Sequence, residues 1–180
     1  MRKMLGRLFV LSLAFTAGLV VACGDEENAC ADGSCSCEGG QDCDLDCPVD
    51  GCEAACSAVD DCDVDCEDDC AIDCASLTAC AGECEDDCRF DCTSASACEV
   101  TCGAGCAVLC SDVGSCAVDA GPGSVVTCER FGSCEVDCVG SCAVDCDQGG
   151  CDVRCDGGTP EDCGEGRLAC DGGCELSVSG

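Results

Sequence analysis

Thiols are the reactive groups this chain has in quantity: 31 of its 180 residues are cysteine. A thiolate can attack a substrate or hold a soft metal, and two thiols can close a bridge. Spacing separates these chemistries. No C-x-x-C occurs, which removes thioredoxin-type redox motifs, haem attachment, zinc ribbons and the usual iron–sulfur patterns. Cys35-Ser36-Cys37 is a lone C-x-C, a spacing suited to metal thiolates. Elsewhere the cysteines repeat. Cys62, Cys80, Cys98, Cys116 and Cys134 lie 18 residues apart, and most are followed by three more cysteines at steps of four. Such a period marks one repeat array.

Other catalytic groups are scarce. The chain has no His, Tyr or Trp, and its one lysine is Lys3. The usual general bases and Schiff-base nucleophiles are therefore missing. Asp68-Asp69 and Asp86-Asp87 are carboxylate pairs, but in a chain with 38 acidic residues adjacent carboxylates are ordinary solvated surface. No glycine-rich phosphate loop follows a strand. The expectation is a protein that is not an enzyme.

The elements that carry the cysteines follow from the repeat itself. A full copy reads C-x-V-x-C, three residues, C-x-V-x-C, then five residues, as in CDVDCEDDCAIDCASLTA from Cys62. Cysteines and the central apolar residue share parity, with acids between them, which is the period of a strand with one buried face. The connectors are rich in Gly, Asp, Ser and Glu and suit turns. Steps of four also fit one helical face, but Val, Asp, Cys, Gly and Thr are mediocre or poor helix formers. The expected fold is all-β, a disulfide-rich two-sided β-solenoid with coils of about 18 residues. Irregular disulfide-stapled loops are the alternative.

An earlier copy begins at Cys43, with one residue inserted between Cys47 and Cys52, and a later one begins at Cys151, one residue early. Cys170 and Cys174 open a truncated final copy. The expected organisation is an N-terminal leader over residues 1–22, an acidic cysteine-containing tether over 23–42, the array over 43–174 and a tail over 175–180.

The copy at Cys116 bears on connectivity. It has Ala120 and Ser124 where the second and third cysteines belong. Joint loss predicts that those two slots bond each other across the three-residue turn: Cys66–Cys70, Cys84–Cys88, Cys102–Cys106 and Cys138–Cys142. The remaining slots then pair across the five-residue turn: Cys74–Cys80, Cys92–Cys98, Cys110–Cys116 and Cys128–Cys134. The rival scheme links equivalent cysteines of neighbouring coils, such as Cys66 with Cys84, at the ~4.8 Å strand spacing. The partners of Cys30, Cys35, Cys37, Cys43, Cys155, Cys163, Cys170 and Cys174 stay open.

Stacking in register would place Asp65 beside Glu83, Asp119 beside Asp137 and Asp73 beside Asp91. Calcium is the hard, oxygen-seeking cation that would relieve their repulsion, so these six are candidate calcium ligands. The 18-residue coil resembles the RTX calcium β-roll in period alone, because the G-G-x-G-x-D motif is missing. A plain solvated acidic surface is the other reading, with no cofactor at all.

Charge sets the partners. Once Arg2, Lys3 and Arg7 are set aside, four arginines face 38 acids. Such a surface repels nucleic acid and anionic lipid. Arg2, Lys3 and Arg7 precede an apolar run from Leu8 to Val21, a charged segment and a hydrophobic segment of signal-peptide length. A plain cleaved signal peptide and an uncleaved anchor are two readings of that run.

The third rests on Val20-Val21-Ala22-Cys23, which resembles the lipobox of bacterial lipoproteins. The resemblance covers the N-terminal segment only. It implies cleavage after Ala22 and acylation of Cys23, with palmitate among the chains attached, and anchorage to a membrane through that lipid. Gly24 after the cysteine points to the outer membrane. The odd cysteine count agrees, since assigning Cys23 to lipid leaves thirty for bridges. The expectation is an acidic, lipid-anchored protein of the bacterial cell envelope with a structural, adhesive or display role. A calcium-binding module is the first alternative. A thiolate metal-binding protein, with its leader uncleaved and thiols reduced, is the second.

Overall fold

The computed structural model describes residues 28–30, 33–147 and 150–177; the leader and Cys23 lie outside them. The chain is a two-sided β-solenoid. Its first strands are β1 (Asn28–Ala29), β2 (Ser34–Cys47) and β3 (Glu53–Cys66). β2 and β3 each run through both sides of a coil. From there every coil gives one strand per side: β4 (Ala71–Ala75), β5 (Ala79–Cys84), β6 (Arg89–Thr93), β7 (Ala97–Cys102), β8 (Ala107–Ser111), β9 (Ser115–Ala120), β10 (Ser124–Glu129), β11 (Ser133–Cys138), β12 (Cys142–Cys146) and β13 (Asp152–Cys155). Even-numbered strands from β4 to β12 stack in parallel on one side, and odd-numbered strands from β5 to β13 on the other. With β2 and β3 included, each side is seven parallel strands deep, and β1 adds an eighth to the odd-numbered side, a stack of roughly 30 Å at ~4.8 Å per step.

Register follows the repeat. Cys62, Cys80, Cys98, Cys116 and Cys134 stand directly above one another. Alternate residues point inward, as the burial of β7 and β11 shows residue by residue. One interior column is Val64, Gly82, Val100, Val118 and Val136; the facing one is Ile72, Phe90, Val108, Val126 and Val144. Cysteines flank both columns, so the core is valine framed by sulfur. Each fully buried valine contributes about 1.5–3 kcal/mol.

Turn chemistry is repeated as faithfully as the strands. The residue before the third cysteine slot of a coil is left-handed in five successive turns: Gly51, Asp69, Asp87, Gly105 and Gly123; in the next turn the left-handed residue is Gly140, two before Cys142. Glycine takes that conformation freely and aspartate tolerates it. The Asp68 carboxylate accepts the Asp86 N–H at 2.9 Å, and the Asp86 carboxylate accepts the Ala104 N–H at 2.6 Å. Those two acids tie consecutive turns together.

The ends of the array differ from the sequence expectation. The coil begins at Ser34, inside the stretch expected to be tether, because Cys37 pairs in register with Cys56. Gly33 stands in that coil's third cysteine slot and Cys35 in its valine slot, which hides the pattern. At the other end the array stops at β13. A hairpin of β14 (Glu161–Gly164) and β15 (Arg167–Cys170) follows, and β15 runs antiparallel to β12. Gly164, Glu165 and Gly166 are all left-handed and reverse the chain there, so Cys170 belongs to a cap, not to a further coil. The cap covers the edge of β12, which would otherwise offer unpaired backbone groups. Among the described residues no helix is long and apolar enough to cross a membrane.

Candidate functional site

Sulfur chemistry divides by turn. Across the five-residue turns every cysteine pair from the first coil to the sixth is bonded: Cys37–Cys43, Cys56–Cys62, Cys74–Cys80, Cys92–Cys98, Cys110–Cys116 and Cys128–Cys134, with Cα atoms 6.3–6.6 Å apart. Cys146–Cys151 repeats the arrangement one coil later. At the ends Cys30 bonds Cys35, Cys155 bonds Cys170 and Cys163 bonds Cys174, which pins the cap.

Across the three-residue turns the outcome is split. Cys138–Cys142 is bonded, with Cα atoms 6.0 Å apart. The expected Cys66–Cys70, Cys84–Cys88 and Cys102–Cys106 bonds are not formed; these six, with Cys47 and Cys52, are buried thiols. One sulfur of each unbonded pair lies against a turn carbonyl. Cys88 donates to the Glu67 carbonyl at 3.2 Å, Cys70 to the Asp68 carbonyl at 3.6 Å and Cys106 to the Gly103 carbonyl at 3.5 Å. Turn carbonyls thus hold one sulfur of each pair.

The eight thiols form a ladder of four rungs in two files. Ser124 closes it: fully buried, it accepts the Cys106 N–H at 3.2 Å and donates to the Gly103 carbonyl at 3.3 Å. Within a rung the two sulfurs share protons unequally, as in any coupled dithiol. A hydrogen bond from Cys84 lowers Cys88 to about 7, while the same contact and burial push Cys84 up. Cys102 is lowered through its bond to Cys106, and Cys106 is raised. Burial is the main cause that raises Cys66 and Cys70 and takes Cys52 up to about 12.

At the N-terminal end the ladder meets a bridge. The Cys47 thiol lies 3.6 Å from the Cys35 sulfur. The sulfurs of Cys30, Cys35, Cys47 and Cys52 all lie within 4.8 Å of one another. Neither the Cys47/Cys52 rung nor this four-sulfur group was paired in the sequence reading. The inserted residue between Cys47 and Cys52 breaks the step of four, although the pair follows once copies are aligned by register.

The outer faces carry the acids. Asp65 pairs in register with Glu83, Asp119 with Asp137, and Asp73 with Asp91. Two of the six have arginine partners. Arg89 contacts Asp91 at 2.7 Å, and Arg154 lies 3.5 Å from Asp137. Arg89 stands two residues from Asp91 on the same face, a spacing readable from the sequence.

Asp65 and Glu83 instead line one shallow groove with Asp44, Asp46 and Asp63, three acids the sequence reading left out. Asp44 pairs in register with Asp63 and Asp46 with Asp65. Partial burial, then the charges of Asp44 and Asp65, raise the Asp63 carboxyl above its usual range. The acidic turns repel likewise: Glu67 and then Asp68 raise Glu85.

Comparison with protein families, curated proteins and solved structures returns no match.

Proposed function

We propose that this protein is an exported, lipid-anchored rod of the bacterial cell envelope, with a structural, adhesive or display role. The observation that carries the reading is the pairing of interior and exterior. Eleven bridges among the described residues frame a valine core, and the outward columns are largely acidic. Bridges of this density belong to oxidising compartments, and they stabilise a chain with little aromatic core. Net charge of −31 favours solubility and mutual repulsion over association with nucleic acid or anionic lipid. The lipobox-like Val20-Val21-Ala22-Cys23 supplies the membrane attachment, since two or more buried acyl chains anchor durably.

Fractionation of cells expressing the full chain tests this reading. The wild type should sediment with membranes and partition into detergent, and Cys23→Ala should release it. Equal solubility of the two would overturn the lipid anchor.

A second reading has a specific observation behind it. Asp44, Asp46, Asp63, Asp65 and Glu83 converge on one groove without an arginine, and five oxygen donors suit calcium. Calorimetric titration separates the readings. Stoichiometric micromolar binding that Asp63→Asn with Asp65→Asn abolishes would favour calcium; weak, salt-sensitive binding would favour a plain acidic surface.

A further inference from the structure

We propose that Cys30, Cys35, Cys47 and Cys52 form an intramolecular thiol–disulfide exchange site, through which a disulfide-bearing oxidant closes the buried rungs. This goes beyond the envelope role and does not depend on the lipid.

Four observations support the proposal. The four sulfurs lie within 4.8 Å of one another, so a bond can pass among them with side-chain motion alone. Two of them are already bonded, as Cys30–Cys35, and two are thiols. Cys47 is the thiol in contact with the bridge, 3.6 Å from the Cys35 sulfur. A turn of the same length, four residues, closes elsewhere in the solenoid at Cys146–Cys151, and the equivalent turn one residue shorter closes at Cys138–Cys142, so a turn of this size holds a bridge in this fold.

Access divides along the same line. Cys35 is partly exposed while Cys47 and Cys52 are buried, so an external disulfide meets the Cys30/Cys35 pair first. Cys52 is held up to about 12 by burial and by Cys47, and keeps its proton until it is needed.

The steps balance. The Cys47 thiolate attacks the Cys35 sulfur; the Cys30–Cys35 bond breaks and Cys35–Cys47 forms. Cys30 leaves as a thiolate and takes up the proton that Cys47 released. Cys52 then loses its proton and attacks Cys47, and the Cys35 thiolate leaves and is protonated. Two electrons and two protons have moved from the Cys47/Cys52 pair to Cys30/Cys35. A low-molecular-weight disulfide restores Cys30–Cys35 and is itself reduced to two thiols. Cys66 adjoins Cys47 and Cys52, so the next rung can exchange in turn.

Time-resolved trapping on the full chain tests the site. Briefly reduced protein is reoxidised with oxidised glutathione, quenched with acid, alkylated and mapped as non-reduced peptides. The wild type should show a transient Cys35–Cys47 link that decays as Cys47–Cys52 appears. Cys52→Ala should accumulate that link about fivefold or more above the wild-type maximum, and Cys35→Ala should slow closure of Cys47–Cys52 by a similar factor. Absence of Cys35–Cys47 from every wild-type time point would overturn the proposal, even if the variants fail to fold. Unchanged Cys47–Cys52 closure in a folded Cys35→Ala chain would do the same. Retention of one zinc per chain after dialysis, with all four thiols protected from alkylation, would reassign the four sulfurs to a metal.

Discussion

The Phe90 ring occupies the space that a side chain at Gly82 would need. A Cβ on Gly82 would clash with the ring's Cε2. The two residues sit in facing interior columns, where neighbouring coils place Val64 opposite Ile72 and Val100 opposite Val108. One coil has exchanged a pair of medium side chains for one large and one absent.

Gly82→Val should therefore destabilise the protein, by about 1–3 kcal/mol for an overpacked core. Phe90→Val in the same chain should recover most of that loss, because the pair then matches its neighbours. Guanidinium midpoints on the disulfide-intact proteins check both. Additive losses in the double variant would show that the two residues do not compensate.

Among the described residues Ala120 and Ser124 mark the one interior rung built without sulfur, and both are buried. Ala120→Cys with Ser124→Cys should close a bridge like Cys138–Cys142 below it. A short-loop disulfide of this kind contributes about 2 kcal/mol when it fits. Mass spectrometry should find two hydrogens lost and no new alkylatable thiol. Ser124→Ala alone should cost about 1 kcal/mol, since the Cys106 N–H and the Gly103 carbonyl lose a buried partner.

Stability should vary with pH in a direction set by the raised carboxyls. Asp63 and Glu85 bind protons more readily in the folded chain than in the unfolded one. Their contribution is therefore fully present below the ordinary carboxylate range, near pH 4, and is lost as pH rises through their higher folded values. Asp112 runs the opposite way. Its hydrogen bond from Arg130 lowers it, so its contribution is lost as pH falls through its folded value. Unfolding midpoints should rise between pH 7 and about 5 and turn down in stronger acid. Asp63→Asn should raise the pH 7 midpoint slightly and flatten the rise, since solvent screens much of the repulsion at this exposed carboxyl. A steeper rise in the variant would contradict the sign.

The turns make a narrower prediction. Asp69 is left-handed where Gly105 and Gly123 stand in later coils. Asp69→Gly should be tolerated, whereas Asp69→Val should cost about 1–2 kcal/mol. Equal midpoints for the two would remove the turn conformation as the cause.

Much of this architecture was readable because strand, turn and period repeat together. Inward Cys-Val-Cys triplets determined which face is buried, and acids between them determined which is wet. The same regularity concealed its exceptions. Gly33 and Cys35 disguise the first coil, and the inserted residue before Cys52 hides the first rung. The Gly82–Phe90 exchange joins two positions eight residues apart on opposite sides of the coil, a relationship that alternation within one strand does not show. Cys170 keeps a step of four to Cys174, yet the left-handed run at Gly164, Glu165 and Gly166 folds it into a cap. The acidic groove needed stacked coils before Asp44 and Asp63 came together.

Intact-protein mass spectrometry of the membrane fraction tests the proposed lipid-anchored, disulfide-stapled rod most directly. The spectrum should show a chain beginning at Cys23, carrying acyl mass on that residue and lacking twenty-two hydrogens for the eleven bridges, rising to thirty when the four buried rungs are oxidised. A chain that keeps Met1, carries no acyl mass and takes up alkylating agent on most cysteines would contradict it.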